Sequence, residues 1–301
     1  MDSLESLVQC FDMPASFITD RLLITPLEVG DSWFILELVN TPGWIKFIGD
    51  RNVHSEADAI AFIKKIIDNP DTDYWVVKLK QDHVSMGIVT FIKRNYLQHH
   101  DIGCAFLPQY VNNGYAYEAT KIVLCHEIDG HKHKRIAAIT TAENITSIKL
   151  LEKLGLEFLQ DIKVRSEKLS LYEADVDRIF ISGLVKSFFS VFTNKSNAQP
   201  RLDLLKDVCL PEISLVNRHM LKTDFFDLTS FFKTRHRILT DGTLMEFEEK
   251  EIFEETRIAE GIASRFTEYE KRGILYGKGF KVRGNKLFQF DKTKQSWKIS
   301  S

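Results

Sequence analysis

Cysteine is sparse in this chain of 301 residues, and its four copies are scattered along it. Cys10, Cys104, Cys125 and Cys209 form no Cys-x-x-Cys pair, which argues against a zinc knuckle and against a disulfide framework. The pattern instead predicts reduced thiols in a cytoplasmic protein. No basic segment with an apolar core behind it opens the chain, so no secretory signal is predicted.

An excess of charge of one sign is also missing. The chain has 40 Lys and Arg against 42 Asp and Glu, which gives a formal net charge of −2. That balance argues against a nucleic-acid partner and against a membrane-seeking surface. No apolar run approaches the length that spans a bilayer, and no internal repeat is visible. The length itself favours two domains.

The segment 107–119 is the strongest positive signal. It reads Leu-Pro-Gln-Tyr-Val-Asn-Asn-Gly-Tyr-Ala-Tyr-Glu-Ala and joins a predicted strand to a predicted helix. Asn112, Asn113 and Gly114 tolerate the left-handed backbone that most residues avoid. Such a loop turns successive N–H groups towards one point in front of the helix, where the positive end of its dipole lies. It predicts a phosphate site that needs no lysine; an ordinary strand–loop–helix corner is the alternative.

A second signal lies in segment 142–157, which follows a predicted strand over 135–141. Its predicted helix begins at a cap around Asn144, carries an apolar face and stops at Gly155. A helix that starts directly after a strand repeats the strand–helix alternation of the first segment. The order and spacing of the two segments make a stronger signal than either segment gives alone.

Together the two segments resemble the GNAT N-acetyltransferases, in the RimJ/RimL-like branch that acetylates protein N-termini and small amines. The first matches a Gly-x-Ala-x-Glu-Ala pattern at Gly114, Ala116, Glu118 and Ala119. The second matches an Asn-x-x-Ser-x-x-x-Leu-Glu-Lys-x-Gly pattern at Asn144, Ser147, Leu151, Glu152, Lys153 and Gly155. The resemblance implies an α/β GNAT domain over residues 1–174, with a mixed β-sheet flanked by helices.

Within that domain the pattern predicts a short helical arm over 3–10 and helices over 31–39 and 56–67. Between these two helices lies 41–49, which contains Pro, Gly and several aromatic side chains and is predicted to be turn-rich. The resemblance places this segment over the acceptor site. Simple packing into the core is the alternative, and both stay open.

From residue 175 the pattern becomes that of a second, α+β domain, 175–301. A phenylalanine-rich helix from Val176 and helices over 202–208 and 227–237 are predicted first. Strands over 244–252, 256–269, 273–283, 287–291 and 297–300 follow, separated by turns at Asp241-Gly242, Arg272-Gly273, Arg283-Gly284-Asn285 and Lys292-Thr293-Lys294. The order resembles the NTF2-like (SnoaL-like) fold, in which a curved antiparallel sheet wraps a long helix into a cone.

The GNAT resemblance implies acetyl-CoA as the acyl donor. It assigns cofactor contacts to Phe106, Leu107, Val111, Asn112, Asn113, Gly114, Tyr115, Ala116, Asn144 and Ser147. It also implies that a backbone N–H near 104–107 meets the thioester oxygen. Val111 is a departure, because family members often carry Gln or Arg there, and an apolar side chain offers no contact to phosphate.

Transfer to an amine also needs a proton acceptor and a proton for the leaving thiolate. Asp101, at the start of the central strand, is the first candidate base and His100 is the second; a solvated hairpin end is the alternative. Ser147 resembles the family serine near the CoA sulfur, and a helix-capping hydroxyl is its alternative. A metal at His126, His131 and His133 is not expected, because this stretch is more typical of a solvated loop.

The predicted function is acetyl-CoA-dependent N-acetyl transfer to a primary amine by direct attack in a ternary complex. The acceptor is a protein N-terminus, an amino acid or a small amine; no nucleic acid, membrane or metal is expected, and both folds are compatible with a homodimer. The alternative is a non-catalytic CoA-sensing or small-ligand-binding protein that acts through the NTF2-like pocket. Acceptor loops share no sequence pattern, so the amine is not readable from the chain.

Overall fold

The computed structural model describes residues 15–129, 132–219, 222–294 and 296–301. The helical arm predicted over 3–10, and His131, lie outside these ranges. The chain divides into two compact units, Met1–Val176 and Asp177–Ser301. None of the helices in the described ranges is both long and apolar enough to cross a bilayer.

An eight-stranded sheet forms the N-terminal unit, in the order β1-β2-β3-β4-β5-β6-β8-β7. Its strands are β1 (Phe17–Ile18), β2 (Leu22–Pro26), β3 (Thr72–Leu79), β4 (Ser85–Ile92), β5 (Asp101–Phe106), β6 (Arg135–Thr140), β7 (Glu157–Val164) and β8 (Glu167–Asp175). Every neighbouring pair is antiparallel except β5 and β6, which run parallel. The predicted mixed sheet is therefore confirmed.

Among the described residues, five α-helices flank this sheet: α1 (Ser32–Val39), α2 (Pro42–Phe47), α3 (Glu56–Ile67), α4 (Tyr115–Ile128) and α5 (Ile145–Leu154). The first three pack with Val76 and Ile88 of the sheet into one apolar cluster. The prediction of a turn-rich segment over 41–49 is wrong, because its central residues form α2. The Thr41 hydroxyl accepts the Trp44 N–H and Pro42 occupies the first turn, so proline here starts a helix instead of breaking one.

The C-terminal unit contains α6 (Val176–Ser190), α7 (Leu205–Val208) and α8 (Leu228–Thr240), with a hairpin of β9 (Leu215–His219) and β10 (Lys222–Phe226). A four-stranded antiparallel sheet follows, made of β11 (Leu244–Ala259), β12 (Ile262–Leu275), β13 (Lys278–Lys292) and β14 (Trp297–Ile299). Aromatic side chains of α6 and the sheet form its core: Phe188, Phe189, Phe288, Phe290 and Trp297. Two register shifts interrupt the β11–β12 ladder, and such bulges bend a sheet.

The predicted turns at Arg272-Gly273 and Arg283-Gly284-Asn285 are wrong, because both stretches lie inside long strands. A Cβ atom at Gly284 would lie 2.5 Å from the hydroxyl oxygen of Tyr269, its partner across the ladder. A Cβ atom at Gly273 would lie 3.1 Å from the Met245 carbonyl oxygen. Both glycines permit close packing inside the sheet and do not mark its turns.

Candidate functional site

The parallel strands β5 and β6 are joined at their beginning and separate beyond it. A single register pair links them, Asp101 opposite Ala137, and the Ala137 N–H donates to the His100 carbonyl at 2.8 Å. No further pair follows in the described ladder, although each strand has six residues. The split leaves backbone groups of β5 directed into an open edge in the middle of the sheet.

The hydrogen-bond pattern shows which N–H groups face that split. Leu107 donates its N–H to the Met86 carbonyl of β4 at 2.8 Å. Because N–H groups alternate in direction along a strand, those of Cys104 and Phe106 point the other way, towards β6. Leu107, by contrast, lies buried and its N–H is already used. Within the predicted 104–107 stretch, Cys104 and Phe106 are therefore the residues with N–H groups available to an oxyanion.

Asp101 lies at the closed end of the split and is only 2 % exposed. One carboxylate oxygen accepts the Arg94 Nε–H at 2.5 Å, and the other accepts the Ile139 N–H at 3.2 Å. Burial raises the pKa of Asp101, although Arg94 and the Ile139 N–H oppose the shift. The carboxylate thus accepts a hydrogen bond from a backbone N–H of β6 at the point where the two strands separate.

His100 lies beside this pair but packs among aromatic rings. Its imidazole stacks on Phe91 at 4.9 Å between centroids and meets His133 edge-on at 4.4 Å. Burial, followed by the charge of Lys93, lowers the pKa of His100, with Asp71 opposing. The lowered pKa favours a neutral ring at pH 7. His126, in contrast, packs on Phe17, and the described residues contain no group of three or more His, Cys, Asp or Glu side chains suited to a metal.

The loop after β5 has the backbone that its sequence predicts. A short 3-10 helix (Pro108–Tyr110) leads to Asn112 and Gly114, which have φ of 63° and 80°, and α4 begins at Tyr115. Within the described chain, the N–H groups of residues 112–116 donate to no protein acceptor. Five consecutive donors therefore lie unpaired at the positive end of a helix of 14 residues. Val111, 43 % exposed, adds no polar side chain.

A residue that the sequence reasoning missed holds this loop from β1–β2. Arg21 donates through Nε to Glu118 at 2.7 Å and through Nη1 to the Asn113 carbonyl at 3.1 Å. Its guanidinium also lies 4.5 Å from the centre of the Tyr115 ring. Glu118 stood in the recognised pattern, but only the fold shows that its partner comes from the start of the domain.

The second segment forms α5 with both predicted caps. The Asn144 side chain accepts the Ser147 N–H at 3.1 Å, and Gly155 ends the helix at φ 93°. The predicted cap around Asn144 is therefore present, and the Asn144 side-chain NH₂ has no described acceptor. Ser147 is half-buried, and its hydroxyl makes no hydrogen bond with a described residue. Beside them the Thr141 hydroxyl is buried without a partner.

These features suit a ligand that carries both phosphate groups and a carbonyl oxygen. The five unpaired N–H groups of residues 112–116, which we call the N–H cradle, can bind phosphate oxygens. The split between β5 and β6 exposes further N–H donors to a carbonyl oxygen. The Thr141 hydroxyl, which has no partner, and the open amide of Asn144 offer further polar contacts. The residues present therefore fit acetyl-CoA, and they would hold it by its phosphates, its amide-bearing arm and its thioester.

Comparison with known proteins agrees with this geometry. Residues 21–157 match the family described as Acetyltransferase (GNAT) domain. A Bacillus subtilis protein, "Uncharacterized N-acetyltransferase YnaD", is 31% identical over 138 residues, which are 46% of this chain and 80% of that protein. Another B. subtilis protein, YkkB, is 29% identical over 73 residues, 24% of this chain and 42% of that protein.

Among solved structures, a GNAT-family acetyltransferase from Bacillus anthracis is 26% identical with a TM-score of 0.47, covering 54% of this chain and 99% of that one. The family match ends at residue 157, so the C-terminal unit lies outside it. The match to YnaD covers 80% of that protein at 31% identity, and the family match runs from β2 through α5 of the N-terminal unit. The chain belongs to the GNAT family of acetyltransferases.

Proposed function

We propose that this protein transfers the acetyl group of acetyl-CoA to a primary amine of a protein N-terminus, an amino acid or a small molecule. One observation carries the proposal: residues 112–116 present five consecutive unpaired N–H groups in front of α4. The acyl-transfer chemistry follows from the family, whereas the donor and the acceptor class are what we add. The thioester would lie at the split, with its oxygen near the Cys104 and Phe106 N–H groups.

The transfer is proposed to be direct. Cys104 lies on β5 beside the split. Burial raises the pKa of its thiol to about 11. A thiol with that pKa is almost entirely protonated at pH 7 and is a poor nucleophile. An acetyl-cysteine intermediate at this position is therefore disfavoured, and the amine would attack the thioester in a ternary complex. Ser147, with an open hydroxyl, is the proposed proton donor to the departing thiolate.

Proton removal from the amine is the step that the geometry constrains most. His100 and Asp101 both lie at the closed end of the split, and strands advance about 3.3 Å per residue. Cys104 and Phe106 lie three and five residues from Asp101, so a proton leaving an amine there would reach either group only through a chain of several waters. Both oxygens of Asp101 are occupied, so we assign it to positioning and His100, neutral at pH 7, to accepting the proton.

The acceptor is proposed to enter beside α2. Lys46 on α2 lies 3.8 Å from Glu143, which precedes α5, so this helix reaches towards the second segment. Trp44 on the same helix is buried, and its indole N–H has no partner. Replacing residues of α2 is therefore expected to change acceptor preference more than acetyl-CoA affinity.

We extend the proposal to the C-terminal unit, whose helices, hairpin and four-stranded antiparallel sheet agree with an NTF2-like cone. The proposed roles of this unit are dimerisation or holding part of the acceptor, in a cytoplasmic protein without nucleic-acid or membrane partners. A CoA-sensing role is the second candidate function. It is favoured by the engaged carboxylate of Asp101, which leaves the site without an obvious free acidic base.

Calorimetric titration with acetyl-CoA tests the donor, using the wild type, Gly114→Trp and Asn144→Ala. Asn144→Ser is the matched control, because a serine oxygen still caps α5 but lacks the amide nitrogen. We expect micromolar binding that Gly114→Trp abolishes and that Asn144→Ala and Asn144→Ser weaken alike. No binding at millimolar acetyl-CoA would overturn the proposal.

A screen of primary amines, in which the release of free CoA thiol is measured, tests the chemistry. Turnover with any amine class supports the transferase, and the preferred class names the acceptor. Tight binding without turnover across peptides, amino acids and polyamines would favour the sensing role instead.

A further inference from the structure

The contact between Arg21 and the loop before α4 has a consequence beyond packing. Arg21 lies near β2, 97 positions before Glu118 in the chain, yet its guanidinium reaches both Glu118 and the Asn113 carbonyl. Thr19 adds a hydroxyl donor to the same carboxylate at 2.5 Å. A Cβ atom on Gly114 would lie 3.4 Å from Arg21 Nη2. The guanidinium is therefore in contact with the residues that form the N–H cradle.

The bond to Asn113 fixes the orientation of one peptide plane. In a trans peptide the C=O and the following N–H point in opposite directions, and the described chain has no cis peptide. Because Arg21 Nη1 holds the Asn113 oxygen, the Gly114 N–H points away from Arg21. A flipped plane would direct a carbonyl oxygen into the cradle, where it would repel a phosphate.

The bond to Glu118 controls charge at the same place. Glu118 lies in the first turn of α4, where an anion is stabilised by the helix dipole and competes with any bound phosphate. Burial alone would raise its pKa, but hydrogen bonds from Thr19 and Arg21 outweigh burial and hold the pKa below its ordinary value. Glu118 is therefore ionised, and Arg21 supplies the charge that neutralises it.

We infer that Arg21 is a positioning residue for acyl-CoA binding, which it serves by locking the 113–114 peptide and by neutralising Glu118. The inference rests on the proposed acetyl-CoA site. An exposed ion pair ordinarily adds little stability. The inference explains why this one has three donors to the Glu118 carboxylate and a fourth to the Asn113 carbonyl.

Calorimetry on charge variants tests the inference. Arg21→Gln should raise the acetyl-CoA Kd about tenfold, because Glu118 is then left unneutralised beside the phosphates. Arg21→Gln/Glu118→Gln should bind more tightly than Arg21→Gln alone, since the repelling carboxylate is gone. S-acetylpantetheine, which lacks the nucleotide and its phosphates, should bind all variants equally. Arg135→Gln is the matched control, because it removes a comparable Arg–Glu pair to Glu173, at 2.9 Å.

A second readout needs no ligand. The Glu118 N–H donates to the Gly114 carbonyl at 3.1 Å and is the first helical bond of α4. Its amide exchange should be about tenfold faster in Arg21→Gln, because the helix end opens more often, and unchanged in Arg135→Gln. Unchanged exchange overturns the lock, whatever the ligand does. If the wild type does not bind acetyl-CoA, the proposed function fails and the exchange experiment still decides the lock.

Normal acetyl-CoA affinity in Arg21→Gln overturns the inference and leaves the proposed function intact. A double variant that binds no better than Arg21→Gln removes the charge argument, and the inference fails in the form stated. Equal weakening of acetyl-CoA and S-acetylpantetheine would show that Arg21 only holds the fold together, which also contradicts it.

Discussion

The buried pair of Arg94 and Asp101 allows a quantitative prediction. Removing one member of a buried ion pair costs about 3–5 kcal/mol, because the other charge is left uncompensated. The Asp101 side chain is 3% exposed and that of Arg94 is 30% exposed, so the two deletions are not equivalent. Arg94→Met strands a carboxylate away from water and should lose about 4 kcal/mol of unfolding free energy. Asp101→Asn leaves a guanidinium that can turn to solvent and should lose roughly 2 kcal/mol.

The double variant Arg94→Met/Asp101→Asn should be more stable than the sum of the single losses predicts, with a coupling of about 2 kcal/mol. Chemical denaturation of the four proteins measures it. The loss in Arg94→Met should also shrink as the pH falls. Burial raises the pKa of Asp101 above its unfolded value, so in this variant the folded state takes up a proton first and regains stability at acid pH. Additive losses, independent of pH, would refute the reasoning.

Catalysis gives the same residues a second test. In the Asp101→Asn variant the new amide oxygen can still accept the Ile139 N–H, so the split should keep its shape, and kcat should fall less than tenfold. Loss of a general base would instead lower kcat by about 10²–10⁴-fold and remove the acid limb of the pH profile. That larger effect would return Asp101 to the role of base and exclude the assignment to His100.

Three further results are expected. Gly284→Ala should lose about 1–3 kcal/mol of unfolding free energy, because its Cβ would meet the Tyr269 hydroxyl. Gly279→Ala is the control and should not change the unfolding free energy, because nothing lies within 4 Å of the added Cβ. Equal losses in the two variants would contradict this. Burial lowers the pKa of Lys286 from 10.5 to about 8, so the unfolded chain holds more protons between these values and stability should rise with pH there by at most about 1.4 kcal/mol per unit; Lys286→Met should lack that rise in denaturant titrations. Cys104 should react with Ellman's reagent at pH 8 only after unfolding, and rapid labelling of the folded protein would refute its raised pKa.

Local sequence signals predicted the loop before α4 and the cap of α5, because these conformations depend on residues that are neighbours in the chain. Asn112, Gly114 and the start of α4 follow one another in the chain, and their backbone preferences are intrinsic. The same holds for Asn144 as the cap of α5. The overall mixed sheet followed from the alternation of strands and helices.

Features that depend on distant partners could not be predicted in this way. Glu118 meets Arg21 across 97 positions, and the burial of Asp101 depends on where Arg94 returns in the fold. Gly284 resembled a turn because glycine serves both turns and close packing, and only its cross-strand neighbour Tyr269 distinguishes the two. Pro42 misled for a similar reason, since proline ends one helix and begins another.

The single register pair between β5 and β6 divides the eight-stranded sheet into two antiparallel halves, β1–β5 and β6–β8. Because only one register pair joins the backbones of the two halves, this is where the sheet of the N-terminal unit is expected to open first. A ligand bound in the split would contact both halves and could accept hydrogen bonds from backbone groups that pair with no neighbouring strand. Its binding free energy would then appear as resistance to heat and to proteases, so the resting enzyme should gain rigidity each time it takes up its acyl donor.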